Sequence, residues 1–423
     1  MQKFSASIIT IGDELLIGQV IDTNSAWMAQ QLNRIGITVN RRIAVGDEWE
    51  AIWKALDQEI PAANIVLITG GLGPTADDIT KPLLCDYFGG KMVQNEQVLQ
   101  HVHYLFEKVY GRPMIERNAN QAMVPDVCTV LHNANGTAPG MWFEKDNTIV
   151  VSLPGVPFEM KGLMLDEVIP ALQKKFELPQ IYHRTLLTAG IGESFLAERI
   201  AEYENALPKS IKLAYLPSYG MVRLRLSTID LEAKGGAKEI DWQFLKLQSL
   251  LTDVIVTNKD EPLEAVVANL LLEQQKTIGT AESCTGGYIA QLFTAMPGSS
   301  RYFKGGVISY ANEVKHDILQ VAEETLETAG AVSEDTVIQM VKGALAALKT
   351  DFALATSGIM GPDGGTPEKP VGTVWVAVGN QDEIITQKFK FRFDRRRNID
   401  LTALNAMNLC RKFILDQTQS TKS

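Results

Sequence analysis

Short apolar blocks alternate along this chain with polar, glycine-rich turns, and most blocks are followed by residues spaced for an amphipathic helix. In the first third, Ser5 to Ile11 and Asn64 to Thr69 read as buried strands that run into glycine turns. A helix carrying Trp27, Met28 and Leu32 begins after Asp22-Thr23-Asn24-Ser25, which has capping composition, and another holds Val168 and Leu172. The middle third joins Tyr182 to Thr188 and the alternating Met221 to Ser227 with helices after Gly190-Ile191-Gly192-Glu193-Ser194 and around Trp242 to Leu251, the mixture of a small α+β unit. In the last third, Gly306 to Tyr310, Phe352 to Thr356 and Val371 to Val378 read as strands. The pattern predicts three α/β or α+β domains, residues 1–172, 178–256 and 258–416, which agrees with roughly 150 residues per domain for a chain of 423.

Composition narrows the function classes. Forty basic residues stand against fifty acidic ones, a formal net charge of -10, which disfavours attachment to nucleic acid or anionic membranes. The middle segment offers Lys209, Lys212, Arg223 and Arg225 to an RNA, but residues 193–207 carry four glutamates, so a spacer or dimerisation role is expected instead. Four cysteines, at 85, 128, 284 and 410, form no CxxC pair, against a disulfide framework or structural zinc. The N-terminus lacks a basic, apolar leader, and no apolar run reaches about 18 residues; a cytoplasmic protein is expected.

The chemistry concentrates in two regions. Gly279 to Gly287 reads Gly-Thr-Ala-Glu-Ser-Cys-Thr-Gly-Gly, a small-residue turn before a helix, and Lys315 lies 32 residues after Ser283. A serine hydroxyl needs a base, and a desolvated lysine can serve in place of histidine. The amides of Cys284, Thr285 and Gly286 would face an oxyanion. The alternative is that Ser283 caps a helix and Thr285 to Gly287 cradle a phosphate. The strand ending at Thr356 runs into Ser357-Gly358-Ile359-Met360-Gly361-Pro362-Asp363-Gly364-Gly365, the composition of a ligand-binding edge or of a chain-reversing turn.

In the first third, Gly70-Gly71-Leu72-Gly73-Pro74-Thr75 follows a strand and precedes a helix, a phosphate-binding arrangement, and Gly12-Asp13-Glu14 ends the first strand. Asp77 and Asp78 would repel a phosphate unless Lys81 or a divalent cation intervened, and carboxylate ligands suit magnesium or manganese. The two aspartates could instead serve the helix N-terminus electrostatically. Asp22 and Asn24 either meet the same cleft or only cap a helix.

The motifs Thr280 to Gly287, Gly305 to Lys315, Ser357 to Gly365 and Lys369 to Trp375 together resemble the C-terminal domain of the CinA family, the PncC-type nicotinamide mononucleotide (NMN) amidohydrolases. The glycine loop and Leu153-Pro154-Gly155-Val156-Pro157 resemble the N-terminal domain of full-length members, similar in fold to the MoaB and gephyrin domains; the middle unit is similar in position to their KH-like domain. The resemblance implies hydrolysis of the NMN carboxamide without a cofactor, with Ser283 as nucleophile, Lys315 as base and Ser357 orienting the lysine or relaying its proton. Cys284, Thr285, Gly286, Gly287, Tyr310, Asn312, Gly358, Gly361, Gly364 and Gly365 would line that substrate site. It also implies metal-dependent ADP-ribose pyrophosphatase activity, with Asp13, Glu14 and Asp78 at a divalent ion and Asp22, Asn24, Gly70, Gly71, Gly73, Thr75, Asp77 and Lys81 on the nucleotide. Arg395, Arg396 and Arg397 match the family's arginine pattern only in part and are left outside the catalytic set. A homodimer is expected. A nucleotide sensor without turnover, or a pterin or adenylate site in the first domain, are the competing readings.

Overall fold

The computed structural model describes residues 4–75, 77–178, 180–218, 220–230 and 235–420. The chain forms two compact units, Met1–Tyr182 with Thr228–Ala237, and His183–Ser227 with Lys238–Ser423.

In the first unit, β1 (Ser5–Ile11), β2 (Thr38–Val45), β3 (Ile65–Thr69), β6 (Thr129–Leu131), β7 (Gly140–Lys145) and β8 (Thr148–Leu153) form one sheet in the order β2-β1-β3-β8-β7-β6, while β4 (Met92–Gln94) and β5 (Met123–Pro125) pair separately. β1 runs parallel to β2 and β3, and β3 to β8. β1, β3 and β8, buried on both faces, need apolar residues at successive positions, whereas β2 is largely exposed. Ala6, Ile8, Ile65 and Leu67 join one core, and Ile9, Ile11, Val66 and Ile68 the other.

Largely in the second unit, β9 (Gln180–Ala189), β10 (Ile211–Ser218), β11 (Met221–Asp230) and β12 (Ile255–Thr257) give a four-stranded sheet. β13 (Ile278–Glu282), β14 (Phe303–Ile308), β15 (Phe352–Gly358), β16 (Thr373–Gly379) and β17 (Ile384–Lys390) give a five-stranded one, ordered β14-β13-β15-β16-β17. β13 is parallel to β14 and β15, whereas β16 is antiparallel to β15 and β17. Alternation sorts the residues: Ile278, Phe352, Leu354, Val374, Val376 and Val378 join one core, and Ala281, Ala353, Ala355 and Ala377 the core on the opposite face. The first of these cores also takes in Leu187, Ala189 and Val256, so the four-stranded sheet is packed into the same hydrophobic body.

Several boundaries differ from the sequence reading; β15, for one, runs on through Ser357 to Gly358. Gly279 to Glu282 is strand, not turn, because its small residues fit a crowded sheet: a Cβ at Gly279 would lie 2.5 Å from Leu348 Cδ1, and one at Gly306 2.3 Å from Thr280 Oγ1. β14 begins before Gly306 and ends at Ile308, since Ser309 and Tyr310 turn their carbonyls to Lys315 Nζ. β16 starts after Gly372, whose φ of 90° breaks the extended backbone. No helix among the described residues is long and apolar enough to cross a membrane.

Candidate functional site

The carboxyl ends of β13, β14 and β15 lie side by side, the edge at which parallel sheets present ligand-binding groups. Ser283 is the first residue beyond β13, and its N–H donates to Thr356 O at 3.0 Å, which pins it to β15. Lys315 comes from the helix Asn312–Asp317 and is 1% exposed. Its Nζ lies 3.2 Å from Ser283 Oγ, 2.7 Å from Ser309 O and 3.3 Å from Tyr310 O. A neutral amine has two hydrogens and one lone pair. Two carbonyls can take the hydrogens, leaving the lone pair to accept the serine proton. Burial pushes the Lys315 pKa below the usual lysine value, against the opposing pull of Cys284 and Glu313.

The turn after Ser283 is closed by a residue the sequence reading passed over. Glu282 is fully buried; its Oε2 accepts from Gly287 N and Ile289 N, both at 3.0 Å, and its Oε1 from Ala290 N at 2.8 Å. The N-terminus of the helix Tyr288–Thr294 is therefore occupied by a carboxylate from the protein itself. Gly286 N donates to Ser283 O at 3.2 Å, which removes it from the expected oxyanion set, while Cys284 N and Thr285 N donate to no protein acceptor among the described residues. Thr285 Oγ1 sits 2.8 Å from Thr356 Oγ1, so the alternative phosphate cradle at Thr285 to Gly287 has lost most of its donors to internal bonds. Burial raises the Cys284 thiol to about 12, which leaves it a poor nucleophile.

Ser357 is buried beside this turn, but its hydroxyl donates to Ala331 O at 2.6 Å and makes no bond to Lys315, so the expected relay is not formed. Tyr310 is exposed and its hydroxyl accepts from Arg395 Nη2 at 2.9 Å, while Arg395 Nη1 donates to Gly361 O at 2.9 Å. Arg395 thus links the β14 end to the glycine loop, a place the sequence had not secured for it. Gly358 permits close approach to β16, since a Cβ there would meet Val374 Cγ2 at 2.7 Å; Gly361 and Gly364 have φ of 85° and 89°. Gly365 lies in the same loop, backed by Val371 N, and Asn398 Nδ2 donates to Met360 O at 3.1 Å to hold it. Asn312 is exposed at the start of the lysine's helix.

The first unit places most of its candidate residues in two recesses, though Asp13, Asp77, Gly70 and Gly71 line neither. One, of about 400 Å³, is lined by Gly73, Thr75, Asp78, Lys81, Arg117 and Gln121; the other, of about 130 Å³, by Thr10, Glu14, Asp22, Asn24 and Thr69. Gly70 and Gly71, with φ of 117° and 65°, make the backbone turn rather than the lining: a Cβ would fall 2.2 Å from Ile11 O and 2.1 Å from Thr80 Oγ1 respectively. Asp22 caps the helix Thr23–Arg34 through Ser25 N at 2.9 Å, and Asn24 Nδ2 donates to Gly155 O at 2.7 Å. Lys81 is buried with Nζ 2.9 Å from both Gln121 O and Gln121 Oε1, and desolvation lowers its pKa to about 8.

Asp13, Glu14 and Asp78 do not converge as metal ligands. Asp78 Oδ1 accepts from Gly73 N at 2.7 Å and Oδ2 from Thr75 N at 2.8 Å and from the Thr75 hydroxyl, so both oxygens brace their own loop. Asp13 faces Asp47 instead, with Asp13 N donating to Asp47 Oδ2 at 3.0 Å. Burial raises the Asp47 pKa, and the charges of Asp13, Glu14 and Asp77 add to the rise. No group of three or more His, Cys, Asp or Glu side chains among the described residues is arranged to hold a metal ion.

Three family descriptions match successive parts of the chain: a probable molybdopterin binding domain over residues 7–174, the damage-inducible protein CinA KH domain over 183–253, and the CinA C-terminal domain over 260–414. A CinA-like protein of Flavobacterium psychrophilum is 47% identical over 97% of this chain and 98% of its own length. One from Cytophaga hutchinsonii is 45% identical over 96% of this chain and 97% of its own. A solved competence-damaged protein (CinA) superfamily structure from Klebsiella pneumoniae is 35% identical, covers 36% of this chain and 96% of that one, and superposes with a TM-score of 0.36.

Proposed function

The chain belongs to the CinA family, and from the Ser283–Lys315 pair we propose that its C-terminal segment hydrolyses the carboxamide of NMN to nicotinic acid mononucleotide and ammonia. The observation that carries this reading is the 3.2 Å approach of a buried lysine to a buried serine hydroxyl. Ser283 Oγ bonds to the amide carbon as its proton passes to Lys315 Nζ, and the carbonyl oxygen becomes an oxyanion facing the free amides of Cys284 and Thr285. The carbon–nitrogen bond then breaks, and the leaving nitrogen takes the proton from Lys315 and departs as ammonia. Water adds to the resulting ester, giving up its proton to Lys315. Cleavage of the carbon–Oγ bond returns that proton to Ser283 and frees the carboxylic acid. Arg395 and Tyr310, at the mouth of the same strand ends, are the groups we assign to the substrate's polar periphery.

For the N-terminal segment, MoaB-like in fold, we propose ADP-ribose hydrolysis, with Gly73, Thr75, Lys81 and Arg117 around the pyrophosphate. A divalent ion, bound there, would offset phosphate charge and acidify water. That proposal rests on the carboxylate chemistry of the segment and not on a preformed ligand set. The molybdopterin-binding description of the matched family favours a second reading, a pterin ligand in the same recess. Incubating the protein with NMN and ADP-ribose separately tests both assignments: equimolar ammonia and nicotinic acid mononucleotide from the first, and AMP with ribose phosphate from the second, support them. A pterin that binds and is not displaced by ADP-ribose would replace the pyrophosphatase reading.

A further inference from the structure

We propose that Glu282 is the positioning residue of the serine turn: its carboxylate, and not the peptide backbone alone, holds Ser283 Oγ against Lys315 Nζ. The inference rests on the serine–lysine reading above. Glu282 stands at the end of β13 on the face that carries the helix Tyr288–Thr294. Its two oxygens gather three N–H groups, from Gly287, Ile289 and Ala290, across the turn that begins at Ser283. Gly286 and Gly287 reach this geometry with φ of 60° and 94°, conformations that a free turn would hold only part of the time. The Glu282 carbonyl also accepts from Ser309 N at 2.8 Å, beside the two carbonyls that bind Lys315 Nζ. One residue therefore touches both halves of the pair: the side chain sets the serine turn, and the main chain sets the end of β14.

A charged acceptor is needed because three donors converge on two oxygens of a side chain with no exposed surface. Glutamine keeps the volume but offers one acceptor oxygen, and its NH2 would confront a backbone N–H. The turn would have to shift, and displacing a nucleophile by about 1 Å can cost about 100-fold in rate. A buried glutamate that merely stabilised the fold would lower stability without changing the intrinsic reactivity of Ser283.

The discriminating readout is the rate at which an alkyl fluorophosphonate labels Ser283 in the full-length protein. In that reaction the Oγ–P bond forms, the P–F bond breaks, fluoride leaves and the hydroxyl proton passes to Lys315. Wild type is compared with Glu282→Gln and with Val341→Ala, a core truncation on the opposite face of the same sheet. We expect Glu282→Gln to label about 100-fold more slowly, and Val341→Ala, though less stable, to label at the wild-type rate. Should Glu282→Gln fail to fold, Glu282→Asp, which keeps the charge but shortens the reach, is read the same way. Equal labelling of wild type and the Glu282 variant, or equal slowing of both variants, overturns the positioning role. Ammonia release from NMN is measured alongside. Labelled wild type that releases no ammonia overturns the substrate, while the comparison of labelling rates still decides Glu282. Wild type that does not label removes the nucleophile and this inference with it.

Discussion

Two loops in this molecule use a carboxylate to tie down a glycine-rich turn, and they end in different states. After β13, Glu282 is fully buried and binds three N–H groups of the following turn and helix. After β3, Asp78 is only partly buried and binds Gly73 N, Thr75 N and the Thr75 hydroxyl. The first clamp leaves Ser283 within reach of a lysine supplied by another helix. The second leaves its own lysine, Lys81, bonded to Gln121, and its acidic neighbours divided between Asp47 and the loop. A preorganised site requires the reacting groups to be held by separate rigid elements before the ligand arrives. The C-terminal site has that property; the N-terminal one is an open recess in which a ligand must recruit the charges.

The largest expected effect on this contrast comes from Lys315→Met. Removing the base should lower kcat/KM for NMN by about 1000-fold or more and leave ADP-ribose hydrolysis at the wild-type rate. Because burial lowers the Lys315 pKa, wild-type activity should rise with pH through that lowered value and level off above it, as the neutral amine becomes the main form; a flat profile would remove the lysine from the base role. The stability term has a definite sign. A lysine whose folded pKa is depressed contributes stability that is present above the unfolded value of about 10.4 and is lost as pH falls through the folded value. Lys315→Met should therefore gain on wild type as pH falls below about 10.4 and hold a constant difference below the folded pKa, in chemical denaturation measured at several pH values.

A smaller effect of opposite location is expected from Asp78→Ala. Freeing Gly73 N and Thr75 N should loosen the recess and slow ADP-ribose hydrolysis by about 10-fold, the cost of one or two hydrogen bonds to a charged group. NMN hydrolysis should not change. If both activities fell together, the two sites would not be independent and the contrast would fail.

Least affected should be Cys284→Ala. A thiol raised to about 12 supplies almost no thiolate near neutral pH, so NMN turnover should stay within about 3-fold of wild type, the scale of a small packing change. Loss of activity comparable to that of a serine variant would make Cys284 the nucleophile.

The fold was legible where alternation and glycine punctuation were strong. Ser5–Ile11 matches β1 to the residue, and Asn64 to Thr69 differs from β3 only at Asn64, which bonds Ser5 instead of extending the strand. Ser283 and Lys315 could be paired from sequence because a strand end and a returning strand bring residues 32 apart to one sheet edge. Glu282 could not: a glutamate at a strand end is ordinarily read as solvated, and only the three-dimensional turn shows which N–H groups it meets. The partners of Asp78 were hidden for the same reason, since spacing reveals a carboxylate but not that its oxygens accept from Gly73 N, Thr75 N and the Thr75 hydroxyl. Ser357 sits at the right strand end, yet a rotamer decides that its hydroxyl turns to Ala331.

The most direct test of the account is ammonia release from NMN by the purified protein, run beside Ser283→Ala with ADP-ribose hydrolysis followed in parallel. The account predicts ammonia from wild type, a loss of about 10000-fold in the variant, and unchanged ADP-ribose cleavage. Ammonia from Ser283→Ala at the wild-type rate, or none from folded wild type, would contradict it.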